Sequence, residues 1–339
     1  MRRLWVIALL VAAGAVLGPA GSAAAAQSNL VELRIVVAPK LIGVPFLVDG
    51  RPFASHGDGV ASITVTPGKH RLVALPWKDQ DGLRRAVFSR WRDEVFTAQR
   101  SIEVTHDTTL EVGMDTSFLL RFEFRGIEGR VVSPDRIESA LLKNTLGTKK
   151  SFTGDETSQW LLGARIVRRA EGLESVPVVY RVQSVLVDGA NAVYAAQQAV
   201  TPDRGPVVSI TLQLFTARFR SSDALFGLST GSGVRLQFPD GHWRSYDFGD
   251  DGSVTLTGLP RGTYHAATIG GGYAPVSPVA MSKSQTVDLQ TVSPLDVGVV
   301  SVVAVACALT LLFVGRPDLL VRLRRRFARR RIDAKSVAQ

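Results

Sequence analysis

Cysteine is almost missing from this chain of 339 residues, since Cys307 is the only one. Cys307 lies in an apolar stretch near the C-terminus, so the rest of the sequence carries no thiol. A disulfide framework and a thiolate metal site are therefore excluded. A cysteine-free exported region also fits a bacterial or archaeal envelope better than a eukaryotic secretory route.

Asparagine and metal-ligand spacings are scarce as well. The three asparagines are Asn29, Asn144 and Asn191, and none has Ser or Thr two residues later, which excludes an N-glycosylation sequon. The histidines show no spacing typical of a metal site; they are His56, His70, His106, His242 and His265. We therefore expect no metal and no other cofactor.

The positive charge is confined to the two ends of the chain. The formal net charge is +10, of which residues 316–339 supply +7 through eight Arg, one Lys and two Asp. Arg2 and Arg3 add +2, which leaves +1 for residues 4–315. The long middle is nearly neutral, so bulk charge gives no support for nucleic-acid binding.

One stretch near the C-terminus lacks charge altogether. Val297–Val314 has 18 uncharged residues, which as a helix would be about 27 Å long, close to the hydrocarbon thickness of a bilayer. We predict one transmembrane helix over residues 294–315. The following tail, residues 316–339, is basic, which predicts a cytoplasmic C-terminus, an outside N-terminus and a tail lying on anionic lipid. Its arginines are Arg322, Arg324, Arg325, Arg326, Arg329, Arg330 and Arg331.

Residues 1–26 have the three parts of a signal peptide. Arg2 and Arg3 form a charged start, Leu4–Leu17 is apolar, and three alanines end at Ala26. The pattern predicts cleavage between Ala26 and Gln27. The mature chain is then expected to be exported and held in the cell membrane by a single pass.

Residues 27–115 are predicted to form a β module. Val31, Leu33, Ile35 and Val37 alternate with other residues in period two, and later apolar runs are separated by Asp-Gly and Pro-Gly. The string VPFLVDGRPF…VTPGKHRLVAL resembles the PEGA-type surface modules of prokaryotic envelopes. We expect Trp91 to pack in the core, with a sugar-binding platform as the alternative.

Residues 116–222 predict a second β-sandwich, of Ig-like type. Strands are expected at Phe118–Phe124, Val176–Val187 and Val207–Phe215. Residues 136–146 fit either a helix capped by Ser133 or a strand, and the poor helix formers in that segment favour the strand.

Residues 223–293 carry a more legible pattern. Alternating strands are separated by Asp-Gly turns, and Leu259-Pro260-Arg261-Gly262-Thr263-Tyr264 follows. This pattern resembles carboxypeptidase-regulatory-like, CnaB-type or transthyretin-like β-sandwiches, which implies a stalk, spacer or attachment module in which Tyr264 folds back onto the core. Residues 223–293 contain no asparagine, which excludes the Lys–Asn crosslink of some CnaB-type domains here unless an Asp takes the place of the Asn.

Two motifs suggest chemistry and are better explained as structure. Ser229 sits in a G-x-S-x-G string but without the alternating strand and helix pattern of a serine hydrolase. Asp247, Asp250 and Asp251 offer oxygen ligands for calcium, but Asp and Gly are also the usual residues of a hairpin turn. We predict no catalytic residue.

The fold class predicted is mainly β, with tandem Ig-like or transthyretin-like β-sandwiches outside the membrane and one C-terminal transmembrane helix. The function predicted is non-catalytic binding or scaffolding at the cell surface, with an envelope protein or glycan as partner. A purely structural stalk and a receptor-like subunit of a membrane complex are the alternatives. A binding module needs exposed aromatics or loops grouped at one end, whereas a stalk needs rigid tandem packing.

Overall fold

The computed structural model describes residues 30–194 and 198–315, which form three consecutive β-sandwiches followed by one helix. Each sandwich has a separate hydrophobic core. The fold class predicted from sequence is confirmed. The predicted signal peptide, with its cleavage site at Ala26 and Gln27, and the basic tail lie outside the described residues.

The first sandwich, module 1, is built from nine strands in two sheets. One sheet has the order β4-β1-β9-β7-β6 and the other β3-β2-β5-β8. The predicted alternation of β1 is confirmed, because Leu33, Ile35 and Val37 are buried. The strands are β1 (Val31–Ala38), β2 (Pro45–Val48), β3 (Arg51–Ala54), β4 (Val60–Val65), β5 (Gly68–Ala74), β6 (Trp77–Lys78), β7 (Arg84–Trp91), β8 (Gln99–Val104) and β9 (Thr108–Gly126).

Module 2 shares β9 with module 1. Its first sheet, β13-β12-β9-β17, uses the second half of β9, and its other sheet contains β11, β10, β14, β15 and β16. Two short 3-10 helices, Pro134–Arg136 and Pro202–Arg204, join strands. The strands are β10 (Ile137–Asn144), β11 (Lys149–Phe152), β12 (Ser158–Arg168), β13 (Leu173–Pro177), β14 (Tyr180–Val187), β15 (Ala190–Asn191), β16 (Ala199–Val200) and β17 (Val207–Leu212).

Module 3 packs a three-stranded sheet, β21-β18-β24, against a four-stranded sheet, β20-β19-β22-β23. Tyr264 is fully buried and its hydroxyl donates to the Pro260 carbonyl at 2.9 Å, as the Leu-Pro-x-Gly-x-Tyr pattern predicts. Burial raises the pKa of Tyr264. The strands are β18 (Leu214–Asp223), β19 (Gly233–Gln237), β20 (Trp243–Asp247), β21 (Ser253–Pro260), β22 (Gly262–Ile269), β23 (Ser277–Met281) and β24 (Gln285–Thr291).

The three modules share one strand arrangement that the sequence patterns do not show. In each module the first strand pairs in parallel with the last one, as β1 with β9, β9 with β17, and β18 with β24. The other neighbour of each first strand is antiparallel, namely β4, β12 and β21. The last strand of module 1, β9, is itself the first strand of module 2, and the last strand of module 2, β17, leads into β18 through a single residue.

The chain ends, within the described residues, in helix α1 (Pro294–Gly315). It matches the predicted membrane segment, and it is the one helix among the described residues that is long and apolar enough to cross a bilayer. Only Val292 and Ser293 separate β24 from it. At 1.5 Å per residue the helix is about 33 Å long, enough for the hydrocarbon core.

Several element boundaries differ from the sequence-based expectations. The boundary expected between residues 115 and 116 falls inside β9, and the one expected after residue 222 leaves β18 in the wrong module, because β18 contributes to the core of module 3. The strand expected over Val176–Val187 is divided at Val178 and Val179, and the one over Val207–Phe215 is divided at Gln213.

Two sequence-based alternatives are resolved by the structure. Residues 137–144 form strand β10, as favoured, while Pro134–Arg136 before it keeps one 3-10 turn after Ser133. Trp91 is 1% exposed and its indole nitrogen donates to the Thr97 carbonyl at 3.0 Å, so it is a core residue and not a surface sugar platform.

Candidate functional site

The residues that suggested hydrolase chemistry are not brought together. Ser229 lies in the loop after β18, where it bridges to Ser222. Strand β22 ends near that loop at Ile269, and His265, which pairs with Gln237, lies four residues before this end. At about 3.3 Å per residue, His265 is therefore more than 10 Å from the end of β22 that is nearest Ser229. His242 lies on the turn beyond Gln237, farther still.

In the acidic turn after β20, the carboxylate of Asp251 is bonded to local partners. The Asp251 carboxylate accepts hydrogen bonds from the Ser253 backbone nitrogen at 3.0 Å, the Ser253 hydroxyl at 2.7 Å and the Arg218 guanidinium at 2.6 Å. These bonds, those from Ser253 first, lower the pKa of Asp251. Across the described residues no group of three or more His, Cys, Asp or Glu side chains has the arrangement of a metal site.

The features that the sequence did not indicate are the junctions between modules. At the first junction β9 passes through both modules without a break, 19 residues long, which is about 60 Å of strand. The β12–β13 hairpin of module 2 then extends back over module 1. It is fixed there because Asp115 accepts from the Ile166 nitrogen and Glu111 from the Leu173 nitrogen, each at 2.7 Å.

Close backbone packing at this junction needs a glycine. A Cβ at Gly113 of β9 would come within 2.5 Å of Ile166 Cγ2 on the hairpin. Two further contacts cross the junction at its surface: Arg168 pairs with Glu94 at 2.7 Å, and the Arg85 guanidinium lies 4.3 Å from the Trp160 ring centre. The hairpin therefore clamps the first two modules together.

At the second junction a single residue, Gln213, separates β17 from β18. The buried carboxylate of Asp188 lies at this junction as well. Asp188 is 5% exposed and pairs with Arg136 of its own module at 2.6 Å and with Arg244 of module 3 at 3.0 Å. Arg136 also donates to the Gly258 carbonyl of module 3 at 2.7 Å. Burial by itself would lower the pKa of Arg244, but Asp188 outweighs it and the net shift is upward.

The turn that holds Asp188 leaves no room for a side chain at Gly189. Asp188 and Gly189 both have positive φ, 47° and 80°, as a type I′ hairpin turn requires. A Cβ at Gly189 would lie 2.3 Å from the Asp240 backbone nitrogen, so the turn touches the β19–β20 turn of module 3 directly. The Gly189 nitrogen donates to Glu138 at 2.5 Å, which fixes the turn from the other side.

A cleft of about 300 Å³ opens at the same junction. Val132, Phe215 and Thr257 line it, and Ile127 and Val131 at its rim are more than half exposed. Arg136 also lines the cleft, although its guanidinium is occupied by Asp188 and Gly258. This volume is at the lower end of the range for small-molecule sites.

The third junction joins module 3 to helix α1 through a capping box. The Ser293 nitrogen donates to Asp296 Oδ2 at 2.9 Å, and the Asp296 nitrogen donates to Ser293 Oγ at 3.1 Å. The Ala224 nitrogen approaches the same Asp296 oxygen at 3.3 Å. Ser293 and Asp296 are buried, so this helix start is fixed to the module and not merely tethered to it.

Sequence reasoning missed these residues for two reasons. Arg136 and Arg244 are separated from Asp188 by 52 and 56 positions, so no local pattern links them. The Asp-Gly turn was visible, but the burial of its carboxylate was not. The Ser293 to Asp296 spacing ahead of an apolar run is, in contrast, a recognisable capping signal.

Comparison with known proteins leaves the family open. No protein-family model matches the sequence, and a search of curated proteins finds no match. The solved structure of the Bacillus anthracis TIE protein aligns with 78% of this chain at 12% identity and a TM-score of 0.28, and the chain spans about half of that protein, 51%.

Two pilins align in the same way. A streptococcal ancillary pilin aligns over 78% of this chain and 99% of its own at 12% identity and a TM-score of 0.24. The shaft pilin SpaA from Lactobacillus rhamnosus GG aligns over 52% and 98% at 13% identity and a TM-score of 0.25. Similarity at this level carries no argument about function, which has to come from the chain's own geometry.

Proposed function

We propose that this chain is a non-catalytic, single-pass envelope protein whose three sandwiches form a rigid stalk. The stalk acts as a scaffold that holds module 1 away from the membrane. The observation that carries this proposal is that no junction has a linker: β9 is shared, Gln213 alone joins β17 to β18, and two residues join β24 to α1.

The physical argument is that a hinge at any junction would break paired backbone. Domains in one chain move relative to each other unless their interface is extensive. Bending between modules 1 and 2 would require β9 to lose hydrogen bonds to its neighbours on both sides. Bending between modules 2 and 3 would separate Arg244 from the buried carboxylate of Asp188, which leaves that carboxylate with one cationic partner fewer.

Rigid tandem packing favours the scaffold or stalk over the receptor-like alternative. A receptor needs a moving part that passes a signal through the helix, whereas here the helix start is bonded to module 3 by Ser293 and Asp296. The proposed orientation, with the sandwiches outside and the tail inside, rests on the positive charge of residues 316–339.

The stalk is tested by measuring distances between spin labels in the full-length chain in lipid nanodiscs. Cys307→Ser removes the native thiol, and Asp81→Cys with Lys283→Cys places labels on exposed positions of modules 1 and 3 that are closer together than the two ends of the stalk. A single narrow distance distribution is expected. Insertion of Gly-Gly-Ser after Gln213 is the matched control and should broaden it. A broad distribution in the chain without the insertion would rule out the stalk.

The orientation is tested by adding protease to intact cells that carry a C-terminal epitope tag on this protein. The sandwiches should be degraded while the tag stays protected until the cells are lysed. Loss of the tag from intact cells would contradict the proposed topology.

A further inference from the structure

Two loops of module 3 lie against the start of helix α1. The first, residues 224–232, follows β18, and its Ala224 nitrogen donates to the Thr291 carbonyl at 3.0 Å. The second, residues 270–276, follows β22, and Tyr273 exchanges hydrogen bonds of 3.0 and 2.9 Å with Val292. Both loops are therefore fixed at the level where the chain leaves the last strand and enters the helix.

These loops present large apolar side chains to the outside. Each of the following is more than half exposed, although such residues are usually buried: Leu225, Phe226, Leu228, Tyr273 and Val276. Leu295, in the first turn of α1, is also 53% exposed, so the start of the helix adds to this apolar surface. We call the two loops the collar.

The collar has no charged residue, whereas the other turns of module 3 do. Residues 224–234 and 270–282 contain no Asp, Glu, Lys or Arg. The turns at the opposite end of the module carry Asp240, Arg261 and Lys283. Of the three connections at the end that faces the helix, the two that form the collar therefore lack charge, and the turn Gly249–Gly252 carries it.

One acidic turn also lies at the helix end. The turn Gly249–Gly252 leads into Ser253, which pairs with Arg220, three residues before the end of β18 at Asp223. The turn projects from that level toward the helix, and a Cβ at Gly252 would lie 2.2 Å from Ser229 Oγ, so the turn touches the base of the collar. Asp250 at its tip is exposed, and its charge is expected to keep it in water. The one carboxylate in the first turn of the helix, Asp296, is 2% exposed and covered by its bonds to Ser293 and Ala224.

We propose that the collar inserts into the interfacial layer of the same bilayer leaflet that α1 enters. The uncharged stretch Val297–Val314 is about 27 Å long as a helix, close to the hydrocarbon thickness, so the turn of α1 before it, and the collar bonded to it, are expected at the interface. Tyr is enriched at that depth, and Phe and Leu are typical of the face that an interfacial segment buries there. With no basic residue in the collar, the contact is apolar and does not require anionic lipid. The inference rests on the proposed membrane anchoring.

The test uses nitroxide labels on the full-length chain in phosphatidylcholine vesicles, with and without phosphatidylglycerol. Collisions with oxygen, which concentrates in the bilayer, are compared with collisions with a water-soluble nickel chelate. Val276→Cys in the Cys307→Ser chain reports the collar, Asp250→Cys reports the acidic turn, and Cys307 itself reports the helix interior. The collar label is expected to be oxygen-accessible and nickel-protected in both lipids, and the Asp250→Cys label nickel-accessible.

The possible outcomes distinguish the collar proposal from the proposed membrane anchoring. A nickel-accessible Cys307 label would contradict the proposed membrane anchoring, and with it the proposed insertion of the collar. If the Cys307 label is protected from nickel but the Val276→Cys label is as nickel-accessible as the Asp250→Cys label, the result contradicts only the proposed insertion of the collar. Protection from both reagents at Val276→Cys would mean that protein covers the loops, which also overturns it. Phe226→Ser with Tyr273→Ser should raise nickel access at Val276→Cys and leave the Cys307 label unchanged.

Discussion

Asp188 connects modules 2 and 3 through two guanidinium groups. Asn tolerates the positive φ of this turn position, so Asp188→Asn removes the charge and keeps the turn. Because Arg136 and Arg244 keep partial access to solvent, we expect a loss in the free energy of unfolding of about 1.5–3 kcal/mol, which is the range for hydrogen bonds to charged groups. Urea unfolding of the detergent-solubilised chain measures it.

The matched control for Asp188→Asn is Asp250→Asn. Asp250 is exposed on the acidic turn and takes part in none of the ion pairs seen in the described residues. Its substitution is expected to change the free energy of unfolding by less than about 0.5 kcal/mol. Equal effects of the two substitutions would show that Asp188 does not contribute through its buried ion pairs.

His70 makes module 1 sensitive to pH. Its ring nitrogens lie 2.6 Å from an Asp49 oxygen and 2.7 Å from the Thr66 carbonyl, and only the doubly protonated ring can donate to both. The hydrogen bond with Asp49 raises the pKa of His70 and lowers the pKa of Asp49.

The stability of module 1 should therefore decline at alkaline pH. The His70 contribution is complete below its unfolded pKa and is lost as the pH rises through the higher folded value, while the Asp49 contribution is lost only in acid. Both are complete between about pH 4 and 6.5. The thermal midpoint should fall less between pH 6 and 9 in His70→Gln than in the unmodified chain. His56→Gln, at an exposed position, should keep the original profile.

At the scale of elements, β9 shows what holds two modules in register. Gly113→Ala would place a methyl group 2.5 Å from Ile166 Cγ2 and push the β12–β13 hairpin off module 1. We expect a loss of about 1–3 kcal/mol, as for other overpacked sites. Gly126→Ala on the same strand is the control, since its nearest neighbour is 3.8 Å away. Additive losses in Gly113→Ala with Ile166→Ala would contradict this contact.

The sequence predicted most strands but not their continuity. Six of the seven even-numbered residues from Val112 to Phe124 of β9 are buried, and Phe118 is partly buried. That alternation crosses the expected boundary at residue 115 without a change of phase. Because strands are usually five or six residues long, a 19-residue strand reads as two in the sequence. Apolar alternation identifies the buried face and carries no information about which module buries it.

For the whole molecule, the shared strand predicts that modules 1 and 2 unfold together. Loss of β9 removes a central strand from both cores, so neither sandwich remains intact alone. In native-state hydrogen exchange with increasing urea, amides of β4 in module 1 and β17 in module 2 should converge on one opening free energy. Separate limiting values for the two strands would show that the modules are independent.

The predicted fold class agrees with the structure at this scale, while the common arrangement of the three modules was not predicted. Periodicity and turn residues such as Asp49-Gly50 report local geometry. Parallel pairing of a module's first and last strands joins Leu33 with Thr108 and Ala217 with Gln285, which are far apart in sequence. Such pairing depends on tertiary packing that short patterns do not encode.

The parallel pairing has a mechanical consequence. A pull between β1 and helix α1 draws the start of β1 and the end of β9 apart along their common axis, and does the same to β18 and β24. This geometry loads all the hydrogen bonds of a pair in shear at once, whereas a hairpin would open one bond at a time. Resistance to such a pull is set by the unfolding rate and not by equilibrium stability. Each module is thus built as a tension-bearing link in series with its neighbours.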